Sequence, residues 1–288
     1  MDISVITPFY KGNAYMEQLF SCIRKNALAA PELKIELVLV NDSPDHTVNY
    51  DAAWVEGFTL KLLCNEKNSG IHLARVNGLA QAEGTFIQFL DQDDLLEEDA
   101  LASQFALSQD ADVVIANGFD QNPKTYGPIY PTVAYQQQAT RPHFYYAVAN
   151  MIVSPGHCLI RKDAIPALWL QEHLQNNGSD DLLLWLLMFH EQRRFVINPR
   201  QLYTHVDTGE NVSANDHKIL DSSAEVLTFL QRHGCADPKQ LQQFARSRRM
   251  GRIHANRPKA FLLLSMLCYP DVAWHKLALM RYKRNKSS

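Results

Sequence analysis

The amino-acid sequence predicts an α/β fold: a mostly parallel, doubly wound sheet with a helical appendage at the C-terminus. Three observations predict it. The first 120 residues alternate short runs rich in Val, Ile, Leu and Phe with amphipathic helical patterns. Those runs are almost continuously apolar, the mark of strands covered on both faces. From about residue 216 the pattern is helical to the end.

Taken in order, strands are predicted over 3–9, 35–41, 60–65, 85–90 and 112–116, and helices over 13–30, 71–82 and 97–109. Parallel neighbours need a crossover, and helices of this length supply it. Residues 117–155 are rich in Gln, Asn, Pro and Tyr and read as a long loop or small excursion. Regular pattern returns with a strand over 158–161, a helix from Asp180 and a strand over 195–198.

The bulk numbers narrow the class. With 288 residues, 46% of them apolar, the chain has length for a large core. Five scattered cysteines form no CxxC pair or zinc spacing, so they read as reduced thiols in a cytoplasmic protein. The opening MDISVITPF lacks the basic n-region of a signal peptide. The longest apolar run, 260–268, is about half a membrane span. Net charge is −3 but unevenly spread. Residues 246–288 hold eleven Lys/Arg and one acid, which leaves 17 bases and 30 acids, a net of −13, in residues 1–245. A basic tail on an acidic body predicts a polyanionic partner surface.

In sheets of this kind ligands bind beyond the carboxyl ends of the strands. Three of those ends are polar: Thr7-Pro8-Phe9-Tyr10, Asn41-Asp42-Ser43 and Asp91-Gln92-Asp93-Asp94. In the last, TFIQFLDQDD runs from apolar strand into three carboxylates within four positions. Asp93 or Asp94 as a helix N-cap explains one of them. A divalent cation shared with substrate phosphates explains all three, since hard oxygen ligands suit Mg²⁺ or Mn²⁺.

Five ordered blocks resemble glycosyltransferase family 2, an inverting family of the GT-A fold. They are SVITPFYKG, ELVLVNDSPDHT, NEKNSGIHLARVNGLAQAEGTFIQFLDQDD, GSDDLLLWLLM and LYTHVDTGENVS. The match covers residues 1 to about 215. The resemblance implies a catalytic domain over 1–215, with a nucleotide-sugar half to about 116 and an acceptor half from 117, followed by a helical basic region over 216–288. It places Thr7, Pro8 and Tyr10 at base and ribose, and has Asp42 accept a hydrogen bond from the base. It puts Asn68, Arg75, Asp91 and Gln92 around the nucleotide sugar, with Arg75 the charge partner of the diphosphate. Asp93, with His205, is implied as the Mn²⁺ or Mg²⁺ site. Asp181 is the implied general base, with Asp180, Gly156 and His157 on the acceptor side. The donor is expected to be a UDP-sugar, and the acceptor a glycan or lipid-linked hydroxyl in surface polysaccharide synthesis.

Each role has a bland counterpart: His205 a loop histidine, Asp181 a second N-cap, His157 a packing residue. The pattern departs from the family at Val76, where an Asn is usual, at Asp180, which replaces Glu, and at Lys11, which replaces Asn. In the tail, Leu263, Met266, Leu267, Trp274, Leu277 and Met280 suggest a face that dips into an anionic membrane surface at the inner side of the cell membrane. A hairpin packed on its own domain is the alternative. No nucleic-acid module accompanies the tail. Two other functions compete. A nucleotidyltransferase lacks support because 7–12 has one Lys and one Gly, and a silent sugar-nucleotide binder would not need both Asp93 and Asp181.

Overall fold

The computed structural model describes residues 1–122, 125–209, 216–256 and 267–284. The chain forms two compact units. One comprises 1–129, 154–165 and 193–208, the other 130–153, 166–192 and 209–288.

The first unit holds the sheet. Its strands are β1 (Ile3–Phe9), β2 (Ile35–Asn41), β3 (Thr59–Cys64), β4 (Phe86–Phe89), β5 (Leu95–Leu96), β6 (Val113–Gln121), β7 (Tyr126–Pro128), β8 (Cys158–Arg161) and β9 (Phe195–Val206). The order is β3-β2-β1-β4-β8-β6-β9-β5, with β7 on β6. β1 to β4 run parallel, β8 is antiparallel between β4 and β6, and β6 is parallel to β9.

The strands alternate between two apolar faces. Ile3, Val5, Phe9, Leu37 and Leu39 share a core with Leu19, Phe20 and Ile23 of α1 (Met16–Ala29) and Leu101 of α3 (Ala100–Phe105). The opposite face meets α2 (Ile71–Gln81). There the helix backbone lies so close that a Cβ on Gly78 would sit 2.5 Å from Ile6 Cγ2 and 3.0 Å from Val40 Cγ2. A buried carboxylate, Glu36, joins strand to loop: it accepts from Ser4 Oγ at 2.5 Å and Glu83 N at 2.6 Å, and pairs with Lys61 at 2.9 Å.

Register brings the polar ends together. Phe9 pairs with Asn41, and Ile6 with Phe89, so the residues that follow β1, β2 and β4 leave the same edge.

Residues 117–155 are not a long loop. β6 runs on to Gln121 and pairs with β7 and β9, with irregular register around Asn117. The polar residues of its second half hide the strand, because they extend beyond the buried core. The helix over 97–109 is also shorter than its pattern and spans Ala100–Phe105.

The second unit is helical: α4 (Val133–Gln136), α5 (His143–Ala147), α6 (Ala167–Gln171), α7 (Asp180–His190), α8 (Asp216–His233), α9 (Pro238–Asn256) and α10 (Pro270–Arg284). Apart from His190, α7 is apolar nearly all round after its first two residues and is buried from Asp180 to Met188. Such a helix is a core element. Among the described residues no helix is long and apolar enough to cross a membrane.

Gly78→Ala tests the helix–sheet contact. Alanine gains about 1 kcal/mol of helix propensity. Overpacking a tight contact costs about 1–3 kcal/mol, and here the cost dominates because Ile6 Cγ2 is rigidly attached. The expected result is a lower denaturant midpoint.

Candidate active site

The edge above β1, β2 and β3 carries a cleft of about 310 Å³, lined among others by Tyr10, Lys11, Asp42, Ser43, Asp45 and Asn68. Tyr10 is 48% exposed, an aromatic face available for stacking. Lys11 has φ +52°, stands 5.3 Å from the Tyr10 ring, and donates its N–H to Ser43 Oγ at 3.1 Å. Thr7 and Pro8 lie outside the lining: Thr7 is fully buried in β1, and Pro8 is partly buried.

Asp42 holds its own loop. Oδ1 accepts from Asn65 Nδ2 at 2.8 Å, Ser69 N at 2.9 Å and Ser69 Oγ at 2.7 Å, and Oδ2 accepts from Gly70 N at 2.9 Å. It therefore shapes the turn that starts α2 as well as lining the cleft. Asn68 is exposed and accepts from Gly70 N at 3.1 Å. Gln92 clasps the first loop: it accepts from Tyr10 N at 3.0 Å and donates to Tyr10 O at 3.3 Å. Its amide fills the space a side chain at Gly12 would need.

The three carboxylates after β4 have three fates. Asp91 pairs with Arg75 Nη2 at 2.6 Å, and Arg75 is buried in α2. Asp94 is buried and accepts from Tyr203 Oη, from Ser154 Oγ at 3.5 Å and from Val206 N at 3.0 Å, and contacts His205 Nδ1 at 3.1 Å. Asp93 lies between them. Burial, then the neighbouring charges of Asp94 and Asp91, push its carboxyl up to about 7. None of the three caps a helix: the N-cap of α3 is Asp99, without a side-chain bond.

His205 has its δ nitrogen on Asp94. Burial opposes its charge, but the Asp94 contact outweighs burial and raises the imidazole to about 9. His157 is fully buried, donates or accepts at Ala116 O over 2.8 Å, and stacks on Tyr203 at 5.3 Å. Burial drives it down to about 4, which favours its neutral form. Gly156 is buried against Tyr203 and Ser154; its N–H donates to Ser154 Oγ at 3.1 Å and its carbonyl accepts from Gln88 Nε2. A side chain at Gly156 would meet the Tyr203 ring at 2.7 Å.

Asp180 and Asp181 belong to the second unit. Both lie in the first turn of α7, whose N-cap is Ser179. Asp181 Oδ1 accepts from Leu182 N at 2.7 Å and Oδ2 from Asn150 Nδ2 at 2.7 Å. The Asp180 carbonyl accepts from Trp169 Nε1 at 2.8 Å. The Asn-x-Ser that follows His205 lies outside the described residues.

The fit to a divalent cation is testable on this geometry. Among the described residues no three His, Cys, Asp or Glu side chains could hold a metal by themselves. Asp93 is nonetheless a carboxyl pushed up to about 7 by burial and then by neighbouring negative charge, and the latter is what a cation relieves. One or two carboxylates plus substrate oxygens suffice for Mg²⁺. The residues fit a metal shared with a ligand.

Reading the sequence alone missed Asp94 as a hub and missed Tyr203 and Ser154 as its partners. Ser154 and Tyr203 lie 60 and 109 residues from Asp94 in sequence, and no local pattern links them.

Two substitutions test the electrostatics. A carboxyl held at about 7 when folded and 3.8 when unfolded destabilises the fold increasingly as pH rises between those values. The full shift is worth about 4 kcal/mol, and the partial exposure of Asp93 reduces this to about 1–2 kcal/mol. Asp93→Asn should therefore raise the melting temperature of metal-free protein at pH 8 by a few degrees, with the gain shrinking toward pH 5. Asp94→Asn should cost about 2 kcal/mol and return His205, followed by NMR titration, toward its ordinary 6.5.

Comparison with known proteins follows this geometry. The model of glycosyl transferase family 2 matches residues 4–169, more than half of the chain. The minor teichoic acid biosynthesis protein GgaB of Bacillus subtilis is 23% identical over 265 residues, which is 84% of this chain and 28% of that protein. The glycosyltransferase GlyG of Streptococcus pneumoniae is 30% identical over 41% of this chain and 39% of its own length. The chain thus spans well under half the length of these curated relatives. The poly(ribitol-phosphate) β-N-acetylglucosaminyltransferase TarS of Staphylococcus aureus is 33% identical over 40% of this chain and 20% of its own. The solved structure of TarS residues 1–349 with UDP-GlcNAc superposes with a TM-score of 0.62 at 20% identity, covering 91% of this chain and 76% of that one. The mannosyltransferase PcManGT of Pyrobaculum calidifontis, solved with GDP-Man and Mn²⁺, gives 0.55 at 17% identity, covering 98% and 85%. On this match and this sheet, the chain belongs to glycosyl transferase family 2 and has the GT-A fold.

Proposed function

We propose that the chain is a metal-dependent, inverting glycosyltransferase that moves a sugar from a nucleoside diphosphate sugar to a hydroxyl of a surface-polymer acceptor. The observation that carries this reading is the convergence on one sheet edge of a cleft with an exposed aromatic, an Arg75–Asp91 pair and a part-protonated Asp93. A UDP-sugar is the favoured donor, because TarS structures are described with UDP-GlcNAc and with UDP. The names of GgaB and TarS, a teichoic acid protein and a poly(ribitol-phosphate) enzyme, favour a cell-surface polymer as acceptor.

In this reading Tyr10 stacks on the base, while Asp42 and Asn68 shape the loop around it. Arg75 offsets charge at the diphosphate, with Asp91 fixing its guanidinium. Asp93, with His205 once it has lost its proton, would hold Mn²⁺ or Mg²⁺. Such an ion supplies charge stabilisation for the departing diphosphate. Gln92 keeps the first loop against the carboxylate turn. Asp181 takes the proton from the acceptor hydroxyl. Its two oxygens are oriented by Leu182 N–H and Asn150. One base and one direct displacement invert the anomeric carbon. Gly156 and Asp180 serve the acceptor side through backbone placement.

The tail, residues 246–288, has a narrower role in this proposal than its composition suggested. Arg246 pairs with Asp271 at 2.6 Å and Arg252 with Asp221 at 3.3 Å. Trp274, Leu277 and Met280 are exposed on α10, one face at i, i+3 and i+6, and Leu267 precedes it. This face, with Arg281 beside Trp274 at 5.6 Å, is the part suited to an anionic membrane surface at the cytoplasmic side. Leu263 and Met266 lie outside the described residues.

A donor screen by calorimetry with and without Mn²⁺ tests the reading, followed by Asp181→Asn. UDP or another nucleotide should bind the wild type in a metal-dependent way. Asp181→Asn should keep that affinity and lower turnover by about 10²–10⁴-fold. Metal-independent binding, or an active Asp181→Asn, contradicts the proposal.

A further inference from the structure

In the first unit one carboxylate at the polar edge of the sheet is left over. Asp120 lies near the end of β6 and is partly buried. Among the described residues its side chain makes no hydrogen bond and no ion pair. Asp is uncommon within strands, and β6 is no edge strand here: these residues pair with β9 on one side and β7 on the other. The register sets Asp120 directly opposite His205, one strand spacing or about 5 Å away along the backbone. Paired residues of neighbouring strands share a face, so the carboxylate stands on the side of the sheet that carries His205. Its charge favours a protonated His205, but the Asp94 contact already holds that ring.

The backbone around Asp120 is fixed from both sides. Gly118 lets β6 press on β9, since a Cβ there would collide with the Tyr203 carbonyl. On the opposite face Phe119 stacks on Tyr126, with ring centroids 4.7 Å apart at 14°. Asp207 N donates to Gln121 O at 2.8 Å. Asp120 itself faces open room. Its partner on β7 is Gly127, and a Cβ at Gly127 would meet no described atom within 4 Å. Gly127 is not among the glycines of positive φ, so the backbone does not require glycine there. A glycine in such a place leaves room for a ligand to approach closely.

Strand order gives that space an occupant. β8 is antiparallel to both β4 and β6, so β4 and β6 end on the same edge. Along that edge come the cleft at β3, β2 and β1, then the carboxylate turn after β4, then β8, β6 and β9. A nucleoside diphosphate sugar laid along this row, with its base in the cleft and its diphosphate at Asp93, carries its sugar onward to β6. The end of β6 lies two strand spacings, about 10 Å, beyond β4. We infer that Asp120, with the open face over Gly127, forms the subsite for the transferred sugar, where the carboxylate accepts hydrogen bonds from two of the sugar hydroxyls. An ionised carboxylate has the lone pairs for both. This rests on the proposed transferase reading and deepens it, since it names the residue that selects the sugar.

The test uses the full chain with Mn²⁺ present and calorimetry on matched ligands. UDP is compared with UDP-glucose, UDP-galactose and UDP-N-acetylglucosamine, and GDP with GDP-mannose. For the sugar nucleotide that the wild type binds most tightly, Asp120→Ala should lower affinity by about ten- to hundredfold and leave affinity for the bare nucleoside diphosphate unchanged. Asp120→Asn, which still accepts at one oxygen, should fall in between. Gly127→Leu fills the open space and leaves the carboxylate in place. It should weaken the same sugar nucleotide and spare the bare diphosphate, which keeps the test decisive if Asp120→Ala disturbs β6. Equal loss of both ligands in Asp120→Ala overturns the subsite, because Asp120 would then act through His205. An unchanged affinity for the sugar nucleotide in that variant overturns it too. If neither UDP nor GDP binds the wild type, the transferase reading falls and the subsite with it. Metal-dependent nucleotide binding with a sugar contribution independent of Asp120 removes the subsite alone.

Discussion

Three carboxylates within four residues cannot all stay charged and unpartnered at the end of a buried strand. How the fold resolves that repulsion organises the first unit. Asp91 is paired with Arg75 from α2, so the helix that covers β1 and β2 is tied electrostatically to the end of β4. Asp94 is drawn inside and satisfied by Tyr203, Val206, Ser154 and His205, so the far strand β9 and the segment before β8 are tied to the same turn. Asp93 alone is left with a carboxyl near neutrality. In the proposed reading the turn works as a site because two of its charges serve the architecture and one does not.

The same logic of partnered and unpartnered charge separates structure from function elsewhere. Glu36 is fully buried, accepts from Ser4 and Glu83 and is paired with Lys61, and it closes strand to loop. Asp42 spends its lone pairs on the 65–70 loop and builds the cleft wall. Arg248 is the counterexample, a cation held by Val148 O with no acid paired to it among the described residues.

Much of this was legible in the sequence. The β1, β2 and β8 boundaries agree with their apolar runs, because strands buried on both faces carry a continuous signal. The polar residues at the ends of β1, β2 and β4 were conspicuous against that background. The second half of β6 was not, because its Asn, Gly and Asp residues look like loop until β9 pairs with them. The division of labour among Asp91, Asp93 and Asp94 was equally hidden. Identical side chains acquire different roles only through Arg75, 16 residues away, and Tyr203, 109 residues away. The basic tail looked uniform, but Arg246 and Arg252 are paired with Asp271 and Asp221 inside the second unit.

The central claim is that Asp93 is kept part-protonated until a cation arrives. The direct measurement is calorimetric titration of Mn²⁺, with UDP present, at pH 7 in two buffers of different ionisation enthalpy. The account predicts metal binding accompanied by net proton release, part of which disappears in Asp93→Asn together with most of the affinity. Binding with no proton release, or with the same affinity in Asp93→Asn, would contradict it and return the carboxylate turn to a purely structural role.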